Sequence, residues 1–223
     1  MQVTVIDYGI GNIFSVSRAL ERCGAQVTLS ADPAQIEAAP RLVLPGVGAF
    51  ADGMRGLRER GLVEPLRRYA ATGKPLLGIC LGMQMLASGS EEFGDHEGLG
   101  LIPGRVLPVP DKTTSGQPQK IPHIGWSGLI KPAGTDWRGT LLGGTPEGTA
   151  VYLVHSYAVV PDDPKHRLAD CLYGGHRIAA AIRSGRIVGC QFHPEKSGDA
   201  GLAILSRFLI DCPTDGDAEF AAR

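Results

Sequence analysis

Short apolar runs, broken by polar, glycine-rich and proline-rich stretches, divide the chain into two halves of different rhythm. In the first half, runs of strand length alternate with longer amphipathic stretches. Residues 3–6 predict a strand, 13–22 a helix ending at Gly24, and 26–29 a second strand. Residues 41–44 predict a third strand, 54–71 a helix ending near Gly73, and 75–79 a fourth strand. Such alternation implies a mainly parallel sheet with right-handed crossovers, covered by helices.

The second half reads as short strands at 104–109, 150–160, 167–173, 176–183 and 186–192, separated by glycine and proline turns. Residues 201–212 predict a closing helix with Leu202, Leu205, Phe208 and Leu209 on one face. The polar run 111–119 predicts the most mobile internal loop, and 213–223 a frayed tail. At 223 residues, one large α/β domain is the natural count.

Cys80 stands where the fourth strand gives way to helical character, in Gly78-Ile-Cys-Leu-Gly82. Glycines two residues to either side let a strand and a helix approach across a tight turn, as in a nucleophile elbow with sulfur for hydroxyl. The helix N-terminus that follows offers unpaired N–H groups to a thiolate and to an oxyanion. Most lone cysteines after a core strand are simply buried, so the elbow needs partners. They lie at the other end of the chain, in Gln191-Phe-His-Pro-Glu195, where Pro194 stops a strand. His193 and Glu195 follow that strand end, where open α/β sheets place their sites. A cysteine nucleophile needs an imidazole to take and return its proton, and the imidazole needs a carboxylate to orient it.

These residues resemble the Cys-His-Glu triad of the class I glutamine amidotransferases, whose glutaminase domain has about the length of this chain. Leu42-Val-Leu-Pro-Gly-Val-Gly48 resembles that family's strand and glycine-rich oxyanion loop. Its Gly46-Val47-Gly48 order is similar to the branch serving histidine biosynthesis, as are Asp7-Tyr-Gly-Ile-Gly-Asn12, Pro122-His-Ile-Gly-Trp126 and Val154-His-Ser-Tyr157. Ser127 departs from that branch, which usually carries asparagine after the tryptophan; the triad is untouched, and the change falls on the local docking surface.

The resemblance implies an α/β fold: a single three-layer domain over residues 1–212 with a mainly parallel, mixed central sheet flanked by helices. It implies catalysis by Cys80, His193 and Glu195, with an oxyanion hole from the Leu81 N–H and the Val47 loop. Gly46, Gly48, Gln84, His155, Ser156 and Tyr157 would bind glutamine. The implied partner is a cyclase subunit with a (β/α)₈ barrel, docked at Asn12, Trp126 and Lys196. That subunit would use the ammonia to make imidazole glycerol phosphate and aminoimidazole carboxamide ribotide. With a β-branched residue at Val47, the oxyanion loop is expected to rest turned away until the partner docks.

Composition narrows the field only a little. A net charge of −1 with 20% charged residues gives no basis for nucleic-acid or anionic-membrane binding. Five cysteines show no metal spacing and leave an odd one, so a reducing, cytoplasmic setting is expected, with no metal and no cofactor. The N-terminal strand carries no basic flank or long apolar run, against a signal peptide or membrane span. Three other readings stay open at this level: the glutaminase of a different synthase, a self-sufficient γ-glutamyl cysteine hydrolase, and a non-catalytic protein on the same fold.

Overall fold

The computed structural model describes residues 1–210; the tail expected over 213–223 lies outside them. The first half runs β1 (Gln2–Ile6), α1 (Ile13–Arg22), β2 (Gln26–Ser30), α2 (Pro33–Ala38) and β3 (Leu42–Gly46). It continues through α3 (Phe50–Glu59), α4 (Val63–Ala71), β4 (Leu76–Cys80) and α5 (Leu81–Met85). The second half holds β5 (Gly89–Ser90), β6 (His96–Glu97), β7 (Gly104–Pro108), β8 (His123–Gly128) and β9 (Ala150–His155). It closes with β10 (Tyr157–Pro161), β11 (Arg167–Tyr173), β12 (His176–Ser184), β13 (Ile187–Cys190) and α6 (Gly198–Ile210).

The central sheet has seven strands in the order β11-β12-β13-β4-β3-β1-β2. From β2 to β13 all neighbours are parallel; β12 and β11 add an antiparallel edge. The expected mainly parallel, mixed sheet is therefore present. Strand residues alternate between two apolar layers. Val3, Val5, Val43, Leu77 and Ile79 pack with Val16 and Leu20 of α1 and Ile204, Leu205 and Phe208 of α6. On the other face Ile6, Leu42, Leu44 and Leu76 pack with Ile36, Met54, Leu57, Leu66 and Tyr69 of α2, α3 and α4. This period-two division of strand side chains makes the three layers.

Several elements differ from expectation for local reasons. The helix expected over 54–71 is two helices, broken where Gly61 adopts φ +65°; a glycine in that region ends a helix at little cost. The first of them begins earlier than expected, at Phe50. Its Gly53 lies so close to α5 that a Cβ would stand 2.7 Å from the Met85 sulfur, so this poor helix former serves packing. The strand expected over 150–160 is interrupted at Ser156, where the chain leaves its pairing with β8 and joins β7 in a four-stranded sheet. α2 had a readable start that the strand-and-helix rhythm passed over: Asp32 accepts from the Ala34 N–H, and Pro33 opens the helix.

The loop expected to be the most mobile, 111–119, is tied down. Lys112 bridges Pro118, the Thr114 N–H donates to the Gly174 carbonyl, and the His176 ring meets the Lys112 carbonyl at 2.8 Å. Among the described residues no helix is long and apolar enough to cross a membrane.

Candidate active site

The C-terminal ends of β3, β4 and β13 lie side by side, and each delivers one part of the site. β4 ends at Cys80, held at φ +54°, a conformation that L-residues avoid unless their surroundings enforce it. The enforcement is visible in the glycines. A Cβ on Gly78 would stand 2.7 Å from the Gly82 carbonyl oxygen, and one on Gly82 would stand 1.8 Å from the Leu44 carbonyl oxygen. On β3, a Cβ on Gly46 would press on the Leu81 side chain at 2.9 Å and on the Tyr8 hydroxyl at 2.6 Å. Only glycines let β3, β4 and α5 come this close, and that closeness sets the Cys80 side chain at a turn.

β13 stops at Cys190, and His193 follows with its Nδ1 2.8 Å from Glu195 Oε1. Both side chains are almost fully buried. The His193 N–H donates to the Tyr152 carbonyl, Ser197 Oγ donates to the His193 carbonyl, and the Tyr152 N–H donates to Ser197 Oγ. This clamp fastens the imidazole to β9. With Nδ1 committed to Glu195, Nε2 is left for Cys80, to which His193 is also hydrogen-bonded.

Burial by itself disfavours the imidazolium of His193. Hydrogen bonds to Cys80 and Glu195, and their charges, outweigh it and raise the pKa to about 9. The ring therefore holds a proton at neutral pH. His155 is moved the other way, to about 4, because burial penalises its charged form and the neighbouring His123 and His193 add to the effect. His123 is lowered by burial as well. The site thus sets a protonated imidazole among neutral ones.

A cavity of about 310 Å³ opens beside the sulfur, lined by Val47, Gly48, Cys80, Leu81, Gln84, His155, Ser156, Tyr157 and His193 among others. Most of the residues singled out in the sequence therefore meet at one place. Gly46 lies behind the wall, and Glu195 lies behind His193. Asn12, half-buried at the start of α1, and Lys196, exposed beside Glu195 in the chain, do not line the cavity. Trp126 is 58% exposed and meets Tyr152 edge to face at 5.9 Å, so it belongs to the surface; Trp137 is the core tryptophan.

Sequence reasoning missed Glu92, Pro122 and Val154 as lining residues. Glu92 sits in a charged turn that reads as solvated surface, and only the return of the chain through the short β5 brings it to the cavity. Its Oε2 accepts the N–H that opens α3, at Phe50, 2.6 Å away. Gln191 was missed as well: it is fully buried and its Nε2 lies 3.8 Å from the Cys80 sulfur.

A nucleophile on a strained elbow, an imidazole, a buried carboxylate and a neighbouring glycine loop, on a parallel sheet, are the parts of a triad-type amide hydrolase. Residues 4–212 match the model of the family described as glutamine amidotransferase class-I. The chain is 53% identical over 208 residues to imidazole glycerol phosphate synthase subunit HisH 1 of Legionella pneumophila (strain Lens), covering 93% of this chain and 98% of that one. It is 47% identical over 209 residues to the HisH subunit of Geobacillus kaustophilus, covering 93% and 95%. The fold also superposes on a solved PurLQS from Thermotoga maritima with a TM-score of 0.70 at 21% identity, covering 93% and 97%. The chain belongs to the class I glutamine amidotransferases and, within them, to the HisH subunits of imidazole glycerol phosphate synthase.

Proposed function

We propose that this chain hydrolyses free glutamine at Cys80 and passes the ammonia to a cyclase subunit in histidine biosynthesis. The observation that carries the reading is the junction of β4 and β13. Cys80 at φ +54° and His193 line one cavity, large enough for an amino acid, and Glu195 backs His193 at 2.8 Å.

The side-chain amide of glutamine enters beside the sulfur, which attacks its carbon. The new oxyanion is held by the Leu81 N–H and an N–H of the Val47–Gly48 loop. His193 gives its proton to the departing nitrogen, since amide cleavage stalls if an amide anion must leave. A γ-glutamyl thioester remains on Cys80, and water activated by the now neutral His193 hydrolyses it to glutamate. Glu195 keeps the ring aligned and stabilises its charged form.

At the head of the substrate, Glu92, the one carboxylate among the described residues that line the cavity, meets the α-ammonium. Gln84 donates both ways along Nε2, to the Tyr157 carbonyl and to Gln191 Oε1, which leaves its own Oε1 free to accept from the substrate. His155, Ser156 and Tyr157 also line the cavity.

Released ammonia protonates in neutral water and stops being a nucleophile, so it must reach its acceptor without mixing with solvent. A cyclase subunit built as a (β/α)₈ barrel, seated over the mouth against Asn12, Trp126 and Lys196, meets that need. The names of the related HisH subunits, and the exposure of Trp126 and Lys196, support this. The reaction belongs to the cytoplasm, in keeping with thiol chemistry.

The test is to mix the purified chain with the cyclase subunit from the same cell and supply glutamine. Glutamine consumption and cyclised product should appear together. Product formed no faster with glutamine than with the cyclase subunit alone would overturn the reading.

A further inference from the structure

The structure assigns to Ser127, His123, His155 and Gln191 the role of positioning residues for the reaction at Cys80: one unbroken line of hydrogen bonds joins the strand that carries Trp126 to the nucleophilic sulfur. The inference rests on the triad reading above and deepens it.

The line starts on β8, where Ser127 Oγ lies 3.0 Å from His123 Nε2. His123 Nδ1 lies 3.1 Å from His155 Nε2, its cross-strand partner on β9. His155 Nδ1 lies 2.9 Å from the Tyr157 carbonyl oxygen. That oxygen also accepts from Gln84 Nε2 at 3.0 Å. Gln84 Nε2 donates again to Gln191 Oε1 at 3.0 Å, and Gln191 Nε2 reaches the Cys80 sulfur at 3.8 Å. His123, His155, Gln84 and Gln191 are all buried.

The chemistry of the groups fixes the direction of every link. A carbonyl oxygen only accepts, so His155 Nδ1 carries a proton and, in the neutral ring, Nε2 is bare. His123 must then donate through Nδ1, which leaves its Nε2 bare, and the Ser127 hydroxyl donates to it. On the other side, the same carbonyl turns the Gln84 amide so that its N–H₂ faces Gln191. This fixes the Gln191 oxygen toward Gln84 and its N–H₂ toward sulfur. Both imidazoles are held neutral by burial, which is the state this pattern needs. Reversing either histidine tautomer sets two lone pairs or two N–H groups against each other between Ser127 and the Tyr157 carbonyl. That carbonyl, shared by His155 and Gln84, couples the two sides through its position and polarisation.

The consequence falls on Cys80. A donor on the sulfur stabilises it as the attacking thiolate, and a fixed Gln84 keeps one wall of the cavity in register. Ser127 lies next to Trp126, so a partner that moves β8 acts on the sulfur through this line. Position 127 requires a donor, which serine supplies and asparagine would supply equally.

The experiment is steady-state glutamine turnover by the full chain in complex with the cyclase subunit, alongside the rate at which iodoacetamide alkylates Cys80. Gln191→Glu still accepts from Gln84 but places no donor on sulfur. It should lower kcat by roughly 10- to 100-fold with KM changed by less than about twofold, and it should slow alkylation. Ser127→Ala should lower kcat by roughly 3- to 10-fold, and Ser127→Asn should return it to within about twofold of wild type. Ser127→Ala at wild-type kcat, failure of Ser127→Asn to restore the rate, or a raised KM at constant kcat would each overturn the inference. Cys80→Ala in the same assay separates the two readings. If it still hydrolyses glutamine, the triad fails. If it is inactive while Ser127→Ala and Gln191→Glu match wild type, only the positioning line fails.

Discussion

At Gly82 a Cβ would stand 1.8 Å from the Leu44 carbonyl oxygen, and nothing flexible is there to yield. Gly82→Ala should therefore lower unfolding free energy by roughly 3 kcal/mol or more, read from chemical denaturation, as a backbone clash at a special position does. Histidines set the acid behaviour. The folded pKa of His155 is depressed to about 4 from an ordinary 6.5, so below pH 6.5 the unfolded chain binds a proton that the native site refuses. Stability should fall as pH drops from about 6.5 toward 4, by up to about 3 kcal/mol from this group, and His155→Gln should flatten that limb. His193 has the opposite sign. Its pKa is raised to about 9, so the stability it adds is complete below pH 6.5 and is lost as pH rises toward 9. Turnover should decline over the same upper range, because the leaving nitrogen loses its proton donor. Cys80, His193 and Glu195 were legible in the sequence because glycine and proline punctuation marks where they sit. Glu92 and Gln191 were not, since a charged turn and a strand-end glutamine look the same wherever the chain then carries them.

Among the elements, the antiparallel β8–β9 pair connects the surface to the site. Trp126 presents its ring outward from β8 and packs on Tyr152 of β9, and Tyr152 holds His193 and Ser197 through its backbone. Trp126→Ala should leave the melting temperature of the isolated chain within a few degrees of wild type. It should weaken cyclase-subunit binding by roughly 30-fold or more, measured by calorimetry, as loss of an interface tryptophan does. A large fall in melting temperature would make Trp126 part of the folded core. On the loop after β3, Val47 is exposed and Gly48 takes φ +92°. Val47→Gly, by easing the turn of this peptide inward, should raise the glutaminase rate of the isolated chain several-fold. Equal rates for isolated and partnered wild type would refute the resting state invoked for this loop. β8 itself could not be read from period-two alternation, because Gly125 at φ +146° interrupts it. Its pairing with β9 is a long-range fact that local pattern does not carry. Likewise β5 and β6 are two residues each, too short for any periodicity to register.

Over the whole molecule, the parallel strands place their C-terminal ends on one edge, where β1, β3, β4 and β13 each deliver a loop or residue to the same neighbourhood. The alternation of strand and helix in the first half made this arrangement readable in advance, because a parallel sheet needs crossovers and the apolar runs were short and separate. The second half was harder. Its strands split among three sheets, and a break such as Ser156 follows from which neighbour each segment pairs with, not from its own composition. The proposed seating of a cyclase subunit over this edge predicts that the two chemistries are separable. The most direct measurement is cyclised product formed by the complex carrying Cys80→Ala, supplied in turn with glutamine and with ammonia at high pH. Glutamine should yield no product above background, while ammonia should support synthesis at the wild-type rate. Product from glutamine in the Cys80→Ala complex would contradict the account.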